Sequence, residues 1–214
     1  MRFFMMQQDK KLPDVIQFRD FDIGGPRHIF YKEEAATVNE HTMMYLAEKG
    51  GEAVPDFIQS PVHMISDTVK TVFDMYEDDM VFRTIVIADQ KEDRMLKYHH
   101  LLLERLDVFS GQTEFYPEGS CKRLVLDAQK IGEHKVFMLN DKRFSHPFVS
   151  LEVVESLLRR QVMGICFKEL ALVVLKCQSI FATEALRFAS HTDSSCLSLS
   201  RLSIRLIRHC RTCE

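Results

Sequence analysis

The chain is poor in the features that would assign it quickly to a class. Only 8 glycines and 6 prolines occur among 214 residues, too few for a collagen-like, low-complexity or disordered protein. The longest apolar run, Leu170 to Leu175, falls far short of the roughly twenty residues that a membrane-crossing helix needs, so no helical span is expected. The first six residues, Met1-Arg2-Phe3-Phe4-Met5-Met6, give way at once to Gln7-Gln8-Asp9-Lys10-Lys11, which is too short an apolar stretch for a secretory signal. No cysteine occurs before Cys121, and four of the six lie in the last forty-four residues. A disulfide framework would spread its cysteines through the fold, so reduced thiols and a cytoplasmic setting are expected. Neither sign of charge dominates. Lys and Arg number 28 against 31 Asp and Glu, a net −3 that offers no broad cationic field for nucleic acid. The sequence motifs Gly-x-Ser-x-Gly, His-Glu-x-x-His, Gly-x-x-x-x-Gly-Lys and Gly-x-Gly-x-x-Gly do not occur, so no cofactor and no small-molecule substrate is expected.

What is present is a 25.0 kDa chain with 46% hydrophobic residues, enough to bury a substantial core. Arg2–Gln8 reads as a strand, and the two glycines and proline of Gly24-Gly25-Pro26 mark a turn. Residues 33–48 give no clear preference. Ser66-Asp67 is a good helix start, and Val69, Val72, Phe73 and Tyr76 then recur at helical spacing, predicting a helix over Asp67–Tyr76. The acids Glu77-Asp78-Asp79 at its end oppose the helix dipole, so either the helix stops earlier or another group uses them. Val81–Ala88 and Met95–Leu103 read as an antiparallel hairpin across the charged connector Asp89–Arg94. Two short strands follow at Arg123–Leu126 and Lys135–Leu139. A second helix begins after Ser150, with Leu151, Val154, Leu157 and Leu158 as its inner face and Gly164 as its stop, and Ile165-Cys166-Phe167 opens a last strand. The expected fold is α+β: a mainly antiparallel sheet with at least two packed helices, forming a domain over residues 1–170.

Residues 171–214 differ in kind. They contain no glycine or proline, seven serines and four cysteines, and carry +3 while the first 170 residues carry −6. Arg201, Arg205 and Arg208 share one helical face and Leu199, Leu202 and Leu206 another, as in an amphipathic helix for a membrane surface or a partner. The expectation is nonetheless a divergent or frameshifted extension that adds little to function.

Several groups are candidates for chemistry or recognition. Cys196, His209, Cys210 and Cys213 supply four N and S donors for zinc, although a single Cys-x-x-Cys is a weak signal and no metal site is assigned. Cys121 lies in a turn and could act as a nucleophile if His134 or His146 approached it. His99 and His100 alternate faces of a strand, so they cannot both ligate one ion; a core histidine beside an exposed one is expected. The acidic run Asp74, Glu77, Asp78 and Asp79 suits a cationic partner, the alternative being a solvated helix end. The loop aromatics Phe109, Phe115 and Tyr116 suit an interface anchor or the packing of the loop onto the sheet.

Leu126-Asp127, Val136-Phe137, Phe148-Val149-Ser150, Val154, Leu157 and Gly164-Ile165-Cys166-Phe167 together form a pattern in order and spacing. In that pattern the chain resembles the bacterial polymorphic-toxin immunity proteins of family eleven, with family forty-three as a near neighbour. The resemblance extends loosely over residues 1–169 and is best over 121–167; the tail departs from it. It implies a cytoplasmic α+β protein that binds a cognate toxin domain and blocks it without catalysis. The family offers no toxin-binding motif to carry over by residue, so Glu77, Asp78, Asp79 and Tyr116 are the expected partner contacts on their chemistry alone. A small Cys/His enzyme and a ligand-binding regulatory module are the competing classes.

Overall fold

The computed structural model describes residues 1–19, 31–48 and 51–173. The turn at Gly24-Gly25-Pro26, the tail helix and the tail zinc donors lie outside the described residues. In chain order the elements are β1 (Phe3–Gln8), a 3-10 turn (Lys32–Thr37), β2 (His41–Tyr45), β3 (Phe57–Ile58), β4 (Met64–Ile65), α1 (Asp67–Phe73), β5 (Val81–Asp89), β6 (Arg94–Leu102) and β7 (Arg105–Leu106). These are followed by β8 (Glu114–Phe115), β9 (Cys121–Arg123), β10 (Val125–Asp127), α2 (Ala128–Ile131), β11 (Val136–Leu139), β12 (Phe148–Ser150), α3 (Leu151–Arg159), β13 (Ile165–Glu169) and β14 (Ala171–Val173). The fold is α+β and mostly antiparallel, as the sequence pattern predicts.

Two five-stranded sheets carry the architecture. The first runs β13-β1-β12-β11-β7 and the second β2-β5-β6-β4-β3. Only the end pairs β11–β7 and β2–β5 are parallel within them. Both faces of β1 are covered: Phe4 and Met6 enter the main core, and Phe3 and Met5 enter a second one. Its first four residues, Phe3 to Met6, are therefore all apolar rather than alternating. The main core gathers Phe4 and Met6 with Val69, Val72 and Phe73 of α1, Leu101 of β6, Val136 of β11 and Val153, Val154 and Leu157 of α3. The second core, behind the first sheet, stacks Phe137 on Phe148 with centroids 5.8 Å apart and closes with Leu126 and Ile131. A third, behind the second sheet, holds Met44, Ile85, Ile87 and Tyr98.

Helix α1 is shorter than its apolar spacing suggests, ending at Phe73 with Asp74 as cap; Lys70 and Asp74 pair at 2.5 Å. Tyr76 still packs inward, its hydroxyl 2.7 Å from Ser156 Oγ. In α3 the inner face is Val153, Val154 and Leu157, while Leu158 points outward, 58% exposed. The helix ends at Arg159, before Gly164, and the left-handed conformation that follows falls on Gln161. Gly164 has its own positive φ of 73° and abuts Pro55 so closely that a Cβ would collide with it; it opens β13 rather than closing α3.

Strand β14 lies beyond the domain limit that composition suggests at residue 170. It pairs in parallel with β10, Leu126 opposite Leu172, and the compact unit runs from Met1 to Lys176.

Candidate functional site

The acidic run divides by role. Glu77 is largely buried and its carboxylate accepts the backbone N–H of Lys135 and of Val136, the latter at 3.0 Å, at the start of β11. Its other oxygen lies 3.7 Å from His134 Nδ1. Both sequence alternatives thus hold: the helix stops early, and a distant strand uses the acid. Asp78 and Asp79 remain exposed, Asp79 in the left-handed region at φ 57°. With Glu77, Lys32, Glu104 and His134 they line a shallow, open depression.

Tyr116 is not part of that depression. It stands in the turn of the β8–β9 hairpin, half-exposed, where its N–H donates to Ser120 C=O and its own C=O accepts from Gly119. The neighbouring rings form a chain of contacts toward the core: Phe115, itself 38% exposed, lies 6.2 Å from Phe109, which lies 5.8 Å from Phe144 of the second core. Arg143 clamps the hairpin, its guanidinium 3.9 Å from the Phe115 ring centre and donating to Gly119 C=O at 2.9 Å. The ion pair with Asp141 holds that carboxyl below the usual carboxylate range. The loop aromatics therefore divide as well, with Phe109 and Phe115 packing the loop and Tyr116 free at its tip.

The histidines considered as bases lie elsewhere. Cys121 Sγ contacts Glu114 C=O at 3.9 Å. His134 faces Glu77, and His146 Nε2 lies 3.0 and 3.1 Å from the side-chain amides of Gln7 and Gln59. Burial, with Lys10 nearby, lowers the pKa of His146 and favours the neutral ring. His99 and His100 do face opposite sides of β6, but both are buried, because this end of the strand is covered on both faces. His99 Nε2 lies 2.6 Å from Asp67 Oδ1, at the first turn of α1. That bond, helped by Lys97, holds the Asp67 carboxyl below its ordinary pKa.

The same pair marks where α1 stops covering the second sheet. Toward Phe82 and Leu101 the face is capped, with Lys70 4.7 Å over the Phe82 ring. Beyond His99 it is open. The register places Met43 beside Val86 and Val86 beside Lys97, then Tyr45 beside Ala88 and Ala88 beside Met95. Met43, Tyr45 and Met95 are 53%, 42% and 72% exposed. These two rows cross three strands and form a mainly apolar surface on rigid backbone. Sequence reasoning missed it because β2 was not identified and its partner is parallel and some forty residues away. The signal was the alternation in His41-Thr42-Met43-Met44-Tyr45, where Met44 is buried and its neighbours are not.

Among the described residues, no group of three or more His, Cys, Asp or Glu side chains is placed to hold a metal ion. No protein-family model and no curated protein matches the chain.

Proposed function

We propose that the protein binds a cognate toxin domain and neutralises it by occlusion, without chemistry of its own, and that the open face of the second sheet is the docking surface. The observation that carries this reading is the pair of registered rows containing Met43, Tyr45 and Met95. Large apolar side chains grouped on one exposed patch favour association, and methionine and tyrosine adapt well to a partner's surface. Lys97 and Asp67 supply a polar border on the α1 side. Asp78, Asp79 and Tyr116 are secondary contacts at other exposed points, while Glu77 acts through the fold.

The test is coexpression with a candidate toxin domain taken from a neighbouring reading frame, reading growth rescue and complex formation. Met43→Asp combined with Met95→Asp is expected to abolish both while leaving the thermal midpoint unchanged, because neither side chain is buried. Full protection by this double variant would remove the sheet face from the reading. Failure of the unaltered chain to bind that toxin would remove the reading itself.

A further inference from the structure

Strand β13 forms one end of the first sheet, with β1 on its inner side. The ladder between them is phased by two bonds, from Asp9 N–H to Gly164 C=O at 2.9 Å and from Leu170 N–H to Phe3 C=O at 3.0 Å. In an antiparallel pair such bonding residues alternate, so Cys166 and Lys168 turn their N–H and C=O groups toward β1. Ile165, Phe167 and Glu169 turn theirs outward, to an edge without a strand partner among the described residues. The edge has an apolar ledge. Ile165 and Phe167 lean on the main core from its rim. Arg2 is bound to Glu169 and feels the charge of Glu155, so the flank of α3 that bears Glu155 and Leu158 lies on this side. Leu158 is 58% exposed and Met163, just before the strand, 59%.

We propose that β13 pairs antiparallel with β13 of a second copy of the chain, centred on Phe167, so that two first sheets become one. This interface stands independently of the toxin-binding reading. Centring on Phe167 satisfies the whole edge: Phe167 meets its counterpart, and Ile165 and Glu169 meet each other twice. It sets Lys168 opposite Cys166, with no like charges opposed. Centring on Lys168 would oppose two ammonium groups. Centring on Cys166 would set Glu169 against Met163, whose backbone N–H and C=O are already bonded to Asp56. A two-fold axis normal to the sheet keeps both α3 helices on one face, so the two Leu158 side chains flank the paired Phe167 rings. An amphipathic strand is what the edge requires, and β13 itself has that pattern.

Light scattering or sedimentation of the full chain over a wide dilution series should show a mass near twice 25.0 kDa falling to 25.0 kDa. Amide exchange at Ile165, Phe167 and Glu169 should slow as concentration rises, while Cys166 and Lys168, bonded to β1, stay protected throughout. Phe167→Pro removes an outward N–H without touching the β1 ladder, and Leu158→Glu places like charges on the seam from an exposed position. Each variant should be monomeric at every concentration with Cys166 and Lys168 still protected. A wild-type chain monomeric throughout, or a dimer that survives both substitutions, would overturn the proposal. So would concentration-independent protection of the three outward amides, or protection that appears only when another protein is added.

Discussion

Glu77 and Asp78 are adjacent acids with different consequences. Removing the Glu77 carboxylate leaves the N–H groups of Lys135 and Val136 without their acceptor at a partly buried strand start. Hydrogen bonds to a charged group contribute roughly 1.5 to 3 kcal/mol, so Glu77→Ala is expected to lower unfolding stability by about 2 kcal/mol. Asp78→Ala, at an exposed position, should stay within about 0.5 kcal/mol. Urea denaturation of the two variants checks this, and equal effects would contradict the assigned roles. A charge-reversal test of partner binding should therefore use Asp78 and spare Glu77. The sequence carried half of this result, because three acids at a helix end conflict with the dipole and call for another use. It did not reveal the user, since Lys135 lies 58 residues on and nothing local marks that pairing.

Elements were legible where their signals are local. The β5–β6 hairpin, both main helix starts and the β1 and β13 segments follow from alternation, spacing and capping residues within a few positions. Strand β2 and the parallel end pairs were not, because parallel pairing joins distant segments and leaves no turn signature. The two helix starts differ in a way that sequence cannot distinguish. Ser66 accepts from Val69 N–H at 3.4 Å and donates to Asp56 at 2.5 Å, whereas the buried Ser150 hydroxyl has no hydrogen-bond partner among the described residues. Ser66→Ala should cost about 1 kcal/mol, and Ser150→Ala should be neutral or stabilising, because it removes an unsatisfied buried hydroxyl. Thermal midpoints of the two variants decide it, and an equal loss would show that Ser150 caps after all.

The hairpin loop makes a second element-level prediction. Asp89 accepts from Arg94 at 2.8 Å and from the N–H groups of Lys91 and Glu92, which hold its carboxyl below the usual range, Arg94 foremost. With a depressed folded pKa, the unfolded chain takes up the proton first. The contribution is therefore complete above the ordinary aspartate pKa of about 4 and is lost as pH falls through the folded value. Asp89→Asn should lower stability at pH near 7 and narrow the difference between neutral and acidic urea midpoints. An unchanged acid limb would assign the pH dependence to Asp67, Asp141, Glu114 and Glu169, whose carboxyls are also depressed by cationic partners.

At the scale of the whole molecule, the question is where the folded unit ends. Composition changes at residue 171, where serine and cysteine increase and the charge turns from −6 to +3. Packing does not change there. Leu170 and Leu172 rest on the second core beside Phe3 and Leu126, and Ala171–Val173 lie along β10 in a parallel ladder that joins segments 46 residues apart. Composition cannot detect such a pairing, because a three-residue strand is too short to affect it. Among the described residues, the core runs from Phe3 to Leu172. A chain ending at Lys176 should therefore unfold cooperatively with a midpoint close to that of the full chain. A chain ending at Glu169 loses two partly buried leucines and a ladder. At 1.5 to 3 kcal/mol for a fully buried leucine, discounted for partial exposure, the loss should be about 2 to 4 kcal/mol. That is a large share of the stability of an ordinary domain, so the shorter chain should show a markedly lower urea midpoint or fail to accumulate folded. Equal midpoints for the two truncations would place the end of the unit where the composition changes, at residue 170, and a collapse of both would make residues 177–214 part of what holds it together.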